Sequence, residues 1–158
     1  MLKTIAYVIL LSLNLFSCAI ESKRGETLLS ENEIKPQYMA GKKIVMITHP
    51  NCGFSSLAFQ DFPSEIKEYF KKNAIFVSPI SENHVKSEIK AVQVWNENSP
   101  FHHLPVLRTT PLPPLDLNST PQFYFFQDGI FVEKVVGWPK DRSNLVLLKD
   151  AIERIQQR

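Results

Sequence analysis

The order of segments in this 158-residue chain predicts an α/β fold: one central mixed β-sheet flanked by helices on both faces. Three observations carry the prediction. A short β-branched run at residues 43–48 is followed by residues at helical spacing, a second run at 74–77 is followed by another helical pattern, and two alternating runs near the C-terminus meet at an Asp-Gly turn before a last helix. With 44% hydrophobic and 22% charged residues, the chain has apolar material for one compact core, and its length argues against two.

Taken in order, Ile44, Val45, Met46 and Ile47 form a buried strand that stops at the turn residues Pro50 and Asn51. From Gly53 onward, Leu57, Ala58, Asp61 and Phe62 give a helical pattern interrupted by Pro63. Ile66, Tyr69 and Phe70 then resume it, so the prediction is a two-part helix with Pro63 in the first turn of the second part. Ile75, Phe76 and Val77 mark the second strand, and Ser81 is placed to cap a helix reaching about Asn96 with Val85, Ile89 and Val92 on one face. Residues 99–118 hold Pro100, Pro105, Pro111, Pro113 and Pro114, which exclude regular helix and mark a long connection that is either functional or mobile. Residues 122–126 and 131–136, joined through Asp128-Gly129, read as an antiparallel hairpin. A helix over 142–156 closes the domain with a stripe of Leu145, Leu148, Ile152 and Ile155.

The N-terminus has a different organisation. Lys3 precedes an uncharged apolar run at 5–16 and the small residues Ser17, Cys18 and Ala19, the pattern of a secretion signal. The run is shorter than the roughly 20 residues of a membrane span. Leu15 to Cys18 resembles the lipobox of bacterial lipoproteins, in which the cysteine becomes the acylated first residue. Cleavage by an ordinary signal peptidase at Ser17-Cys18-Ala19 is the other outcome, and the lipoprotein is preferred. The division expected is a signal peptide at 1–18, a tether at 19–40 that lets a membrane-anchored domain stand off the bilayer, and a folded domain at 41–158. A formal charge of +2 gives no electrostatic ground for nucleic-acid binding, and Lys42-Lys43 and Lys71-Lys72 read as solvated ends of elements.

The order β-α-β-α and then β-β-α, with Cys52-Gly53-Phe54-Ser55 after the first strand, resembles the thioredoxin-like superfamily, and its periplasmic branch most. Ser119-Thr120-Pro121 stands where that family places its cis-proline, and Gly137 ends the hairpin as a family glycine does. The match covers about residues 40–157. Two departures stand out: Ser55 replaces the second cysteine and Asn51 replaces the usual tryptophan. The resemblance implies a thioredoxin-like fold with Cys52 and a cis Pro121 at its site; the catalytic residues expected are Cys52, Ser55 and Pro121, and the substrate-binding residues expected are Thr120, Phe54 and His49. It implies that a cis Pro121 leaves an open edge on which a substrate peptide can pair.

With Cys18 consumed by either form of processing, Cys52 is the one cysteine of the mature domain, so it acts alone or with a partner. A cysteine at a helix N-terminus feels the positive end of the dipole, which favours thiolate. His49 is close enough in sequence to add a cation or a hydrogen bond, and the Ser55 hydroxyl to donate to the sulfur. The function expected is monothiol thiol–disulfide exchange with exported protein thiols or disulfides, finished by an external resolving thiol because serine cannot resolve a mixed disulfide. The alternative is a non-catalytic lipoprotein using the fold as an interaction module in the envelope.

The string Cys-Gly-Phe-Ser is identical to the signature of monothiol glutaredoxins, but their lysine before the cysteine and their Gly-Gly-x-Asp-Asp stretch are missing, so no iron–sulfur cluster or other cofactor is assigned. Copper binding through Cys52 and His49 is set aside for want of a second thiol, and His84, His102 and His103 read as polar loop residues. Trp95 and Trp138 read as core or rim aromatics.

Overall fold

The computed structural model describes residues 28–53, 55, 60–137 and 143–157. The expected signal peptide, Cys18, Phe54 and Trp138 lie outside the described residues. Among the described residues the helices and strands in chain order are α1 (Glu31–Tyr38), β1 (Lys42–Ile47), α2 (Ser64–Asn73), β2 (Ala74–Ile80), α3 (Val85–Asn98), β3 (His103–Leu107), β4 (Gln122–Gln127), β5 (Ile130–Val136) and α4 (Ser143–Gln157). A 3-10 turn at Glu82–His84 leads into α3. The fold is the expected α/β arrangement, a mixed sheet of order β3-β2-β1-β4-β5 flanked by helices. β1 runs parallel to β2 and antiparallel to β4, and β4 and β5 form the expected hairpin.

The continuous apolar runs of the central strands result from burial on both faces. Successive residues of a strand point to opposite sides, and the two cores divide the chain accordingly. Ile44, Met46, Phe76, Phe123 and Phe125 pack with Ile66 and Phe70 of α2 and with Leu148, Ala151, Ile152 and Ile155 of α4. Val45, Ile47, Val77, Tyr124 and Phe126 face the other way, against Ile34 and Tyr38 of α1 and Leu112, Leu115 and Leu117. At the hairpin tip, Asp128 and Gly129 both have positive φ, the geometry of a two-residue turn matched to strand twist. A Cβ on Gly129 would come within 2.7 Å of the Met39 side chain.

Three expectations are corrected. Residues 31–38, taken as part of the tether, form a helix with Ile34 and Tyr38 buried, so the folded unit starts ahead of residue 41. Its start is fastened by Glu33, whose carboxylate accepts from the Ser30 amide and hydroxyl. Residues 103–107 of the proline-rich connection form a parallel edge strand beside β2. Pro105 is compatible with an edge, where no further strand needs its missing N–H. The segment after β3 covers one face of the sheet, with Leu112 and Leu117 almost fully buried. Finally, Pro63 is the N-cap of α2 and not a residue of its first turn.

Candidate functional site

Parallel β1 and β2 deliver their C-terminal ends to one rim of the sheet, where Thr48 continues the pairing by donating its amide to the Val77 carbonyl at 2.9 Å. The chain then turns. The Cys52 amide donates to the His49 carbonyl at 2.9 Å, and the Asn51 amide donates to His49 Nδ1 at 3.1 Å. Gly53 and Ser55 are helical, so Cys52 stands at a helix start, as the sequence predicts, with a half-buried thiol.

Antiparallel pairing sets Ile47 opposite Gln122, which brings the start of β4 to the same rim. The Thr120–Pro121 peptide bond there is cis, as the resemblance implies, and Gly137 donates its amide to the Pro121 carbonyl at 2.9 Å. Pro121 is buried and Thr120 half-buried. The approach to this bond is tied down by Gln122, whose Nε2 donates to the Asp116 and Ser119 carbonyls at 2.9 and 2.6 Å. The Tyr124 hydroxyl donates to Gln122 Oε1 and accepts from the Asp116 amide, both at 2.8 Å. Cys52 and Pro121 are thus placed at one end of the sheet by register alone.

Two sequence expectations about the thiol's neighbours change. Ser55 is 1% exposed and its hydroxyl has no hydrogen-bond partner among the described residues, so the expected donation to the sulfur is not made. His49 is not poised as a cation: burial holds its imidazole below the usual histidine value, Glu88 opposes that, and Arg108 adds to it. Its Nε2 lies 3.9 Å from a Glu88 carboxylate oxygen, in ion-pair range and too far for a hydrogen bond.

Beneath the rim lies a polar core the sequence did not reveal. His103, expected as a loop residue, is on β3 and 1% exposed. Its backbone amide donates to Asn96 Oδ1 at 2.7 Å, and Asn96 Nδ2 donates to its carbonyl at 3.0 Å. The ring stacks at 8° on Phe76 and lies tilted against Trp95, and a 2.9 Å hydrogen bond joins Nδ1 to the Ser78 hydroxyl. Burial above all, then the neighbouring His49 and His102, pushes its pKa down to about 3. Glu88 and His103 were invisible in the sequence because a glutamate on an amphipathic helix and a histidine among prolines read as solvated residues. His84 and His102 are exposed, and among the described residues no three His, Cys, Asp or Glu side chains converge to hold a metal ion. Beside the turn opens a groove of about 860 Å³, lined by Pro50, Asn51, Lys67, Lys90, Trp95 and Phe101 among others.

No model of a known family matches the chain, and no curated protein matches it. Solved structures do. The exposed lipoprotein thioredoxin Etrx1 of Streptococcus pneumoniae is 14% identical over 78% of this chain and 96% of its own, with a TM-score of 0.48. A secreted disulfide oxidoreductase of Mycobacterium tuberculosis is 18% identical over 66% of this chain and 77% of its own, TM-score 0.42. A thiol-disulfide isomerase of Corynebacterium glutamicum is 11% identical over 73% and 83%, TM-score 0.40. At such identities, and with TM-scores below 0.5, the likeness carries no argument about this chain.

Proposed function

We propose that this chain is an exported, membrane-anchored protein that carries out monothiol thiol–disulfide exchange through Cys52. The observation that carries the reading is the placement of a half-buried cysteine at a helix start, on the sheet rim that also bears Thr120 and Pro121. A helix start favours the thiolate, and the thiolate is the nucleophile. In the step proposed, the Cys52 thiolate attacks a disulfide of an exported protein. A Cys52–partner disulfide forms, the partner's S–S bond breaks, and the departing sulfur leaves as a thiolate that takes up a proton. A second, external thiol then attacks the mixed disulfide and releases Cys52. Ser55 has no sulfur with which to do so.

Cys18 anchors the protein by acylation in this reading, and Thr120, Phe54 and His49 are assigned to binding the partner. Two experiments test it. Trapping with an oxidised exported protein yields a mixed disulfide through Cys52 that Cys52→Ser abolishes. Mass spectrometry of the mature chain finds an acylated Cys18, whereas an unmodified N-terminus at Ile20 contradicts the anchor.

The second reading, an interaction module without catalysis, is favoured by the groove beside Pro50 and Asn51, which offers a binding surface independent of the thiol. Partner binding that survives Cys52→Ser, in the absence of any mixed disulfide, would select it.

A further inference from the structure

We propose that Glu88 is a positioning residue for Cys52: from the first turn of α3 its carboxylate holds the His49 ring so that Nδ1 accepts the Asn51 amide, which fixes the turn presenting the thiol. Two contacts at opposite ends of the imidazole point to the same arrangement. The Asn51 amide donates to Nδ1 at 3.1 Å, so Nδ1 carries a lone pair and the ring proton belongs on Nε2. Nε2 is shielded from solvent and lies 3.9 Å from Glu88 Oε2. A carboxylate at that distance attracts an N–H and repels a lone pair, and the attraction is strengthened where water is excluded.

Glu88 is itself held in place. The same oxygen accepts the Ser81 amide at 2.7 Å, which fastens the carboxylate over the end of β2. The line of contacts therefore runs from Ser81 through Glu88 and His49 to Asn51, and the His49 carbonyl takes the Cys52 amide at 2.9 Å. Thiols at helix starts depend on the orientation of nearby backbone amides, so a turn fixed at residues 49–52 fixes the thiol's electrostatic surroundings.

The arrangement has a consequence in acid. With its proton already on Nε2, the ring accepts a second one only at Nδ1, which expels the Asn51 amide and loosens the turn. The charged and titratable groups acting on or coupled to His49 are Glu88, Arg108 and His103. Burial and Arg108 keep the ring neutral near pH 7, and Glu88 works against them.

The positioning is independent of whether Cys52 exchanges disulfides; only its functional meaning rests on that reading. The test is nitrogen NMR of ¹⁵N-histidine-labelled protein, with amide exchange at Asn51 and alkylation of Cys52, in the wild type, Glu88→Gln and Glu88→Ala. The proton is expected on Nε2 in the wild type and in Glu88→Gln, which keeps an acceptor oxygen facing the ring. Removing the carboxylate charge in Glu88→Gln lowers the pH at which His49 titrates. In Glu88→Ala the other tautomer becomes populated, Asn51 exchanges roughly fivefold faster, the weight of one lost hydrogen bond, and Cys52 alkylation shifts its pH midpoint.

A wild-type ring protonated on Nδ1, or a Glu88→Ala protein with an unchanged tautomer and unchanged Asn51 exchange, overturns the proposal. Should Glu88→Ala fail to fold, an unmoved His49 midpoint in Glu88→Gln overturns it instead. Slow Cys52 alkylation with the expected tautomer supports the positioning and counts against the exchange reading alone.

Discussion

Burial of the single residue His103 predicts a loss of stability in acid. Burial pushes the His103 pKa down to about 3 from an ordinary 6.5, so the unfolded chain takes up a proton that the folded one refuses. Its neutral-state stabilisation is complete above 6.5 and is lost as pH falls toward 3. Over that whole window the loss approaches roughly 5 kcal/mol as an upper limit. Urea unfolding at pH 7 and at pH 4.5 should therefore show a marked drop in the wild type. A His103→Phe, Ser78→Ala double variant, which leaves neither hydrogen-bonding partner behind, should show a smaller drop between the same two pH values. An equal drop in both proteins would place the acid sensitivity elsewhere. Ser55 offers a second change at this scale. Its 1% exposure means that a cysteine there would be held inside the domain, one helical turn from Cys52. Ser55→Cys should form an internal disulfide and acquire insulin-reducing activity with a supplied reductant, whereas a silent variant would count against exchange.

Among the elements, α1 shows most clearly how the sequence misled. Pro36 and the charged stretch before it resemble a linker, yet Ile34 and Tyr38 fall one turn apart and insert into the core beside Phe126. A helix of eight residues derives its stability from such packing more than from propensity, which is why a local reading overlooks it. Ile34→Ala should cost about 2–4 kcal/mol by urea denaturation, the range for emptying a buried aliphatic site, and a change near zero would return the helix to the tether. β3 was hidden for a related reason: Pro105 argues against a strand, and an edge position is what tolerates it. The loop after β3 is held through Tyr124, so Tyr124→Phe should cost about 1–2 kcal/mol by releasing the buried contacts with Gln122 and the Asp116 amide. By contrast β1, β2, the hairpin and α4 were legible, because apolar runs, an Asp-Gly turn and a helical stripe are local signals that tertiary packing reinforces.

The whole molecule brings distant segments together: strand order and register set residues 49–52 and the cis Thr120–Pro121 bond at one rim. That much of the site was legible, since the order of elements and the position of a Thr-Pro before the hairpin sufficed. The polar partners were not, because His49, Glu88, Ser78 and His103 come from four segments whose proximity exists only once β2 and β3 pair and α3 packs over them. The central claim is that this architecture presents Cys52 as a reactive thiolate. The direct measurement is the rate of alkylation of Cys52 across pH in the folded wild-type domain, with Cys52→Ser as the blank. A midpoint clearly below the ordinary cysteine value of about 8.5 is the result predicted. Slow alkylation with a midpoint at or above 8.5 would contradict the claim and leave the fold as a binding module.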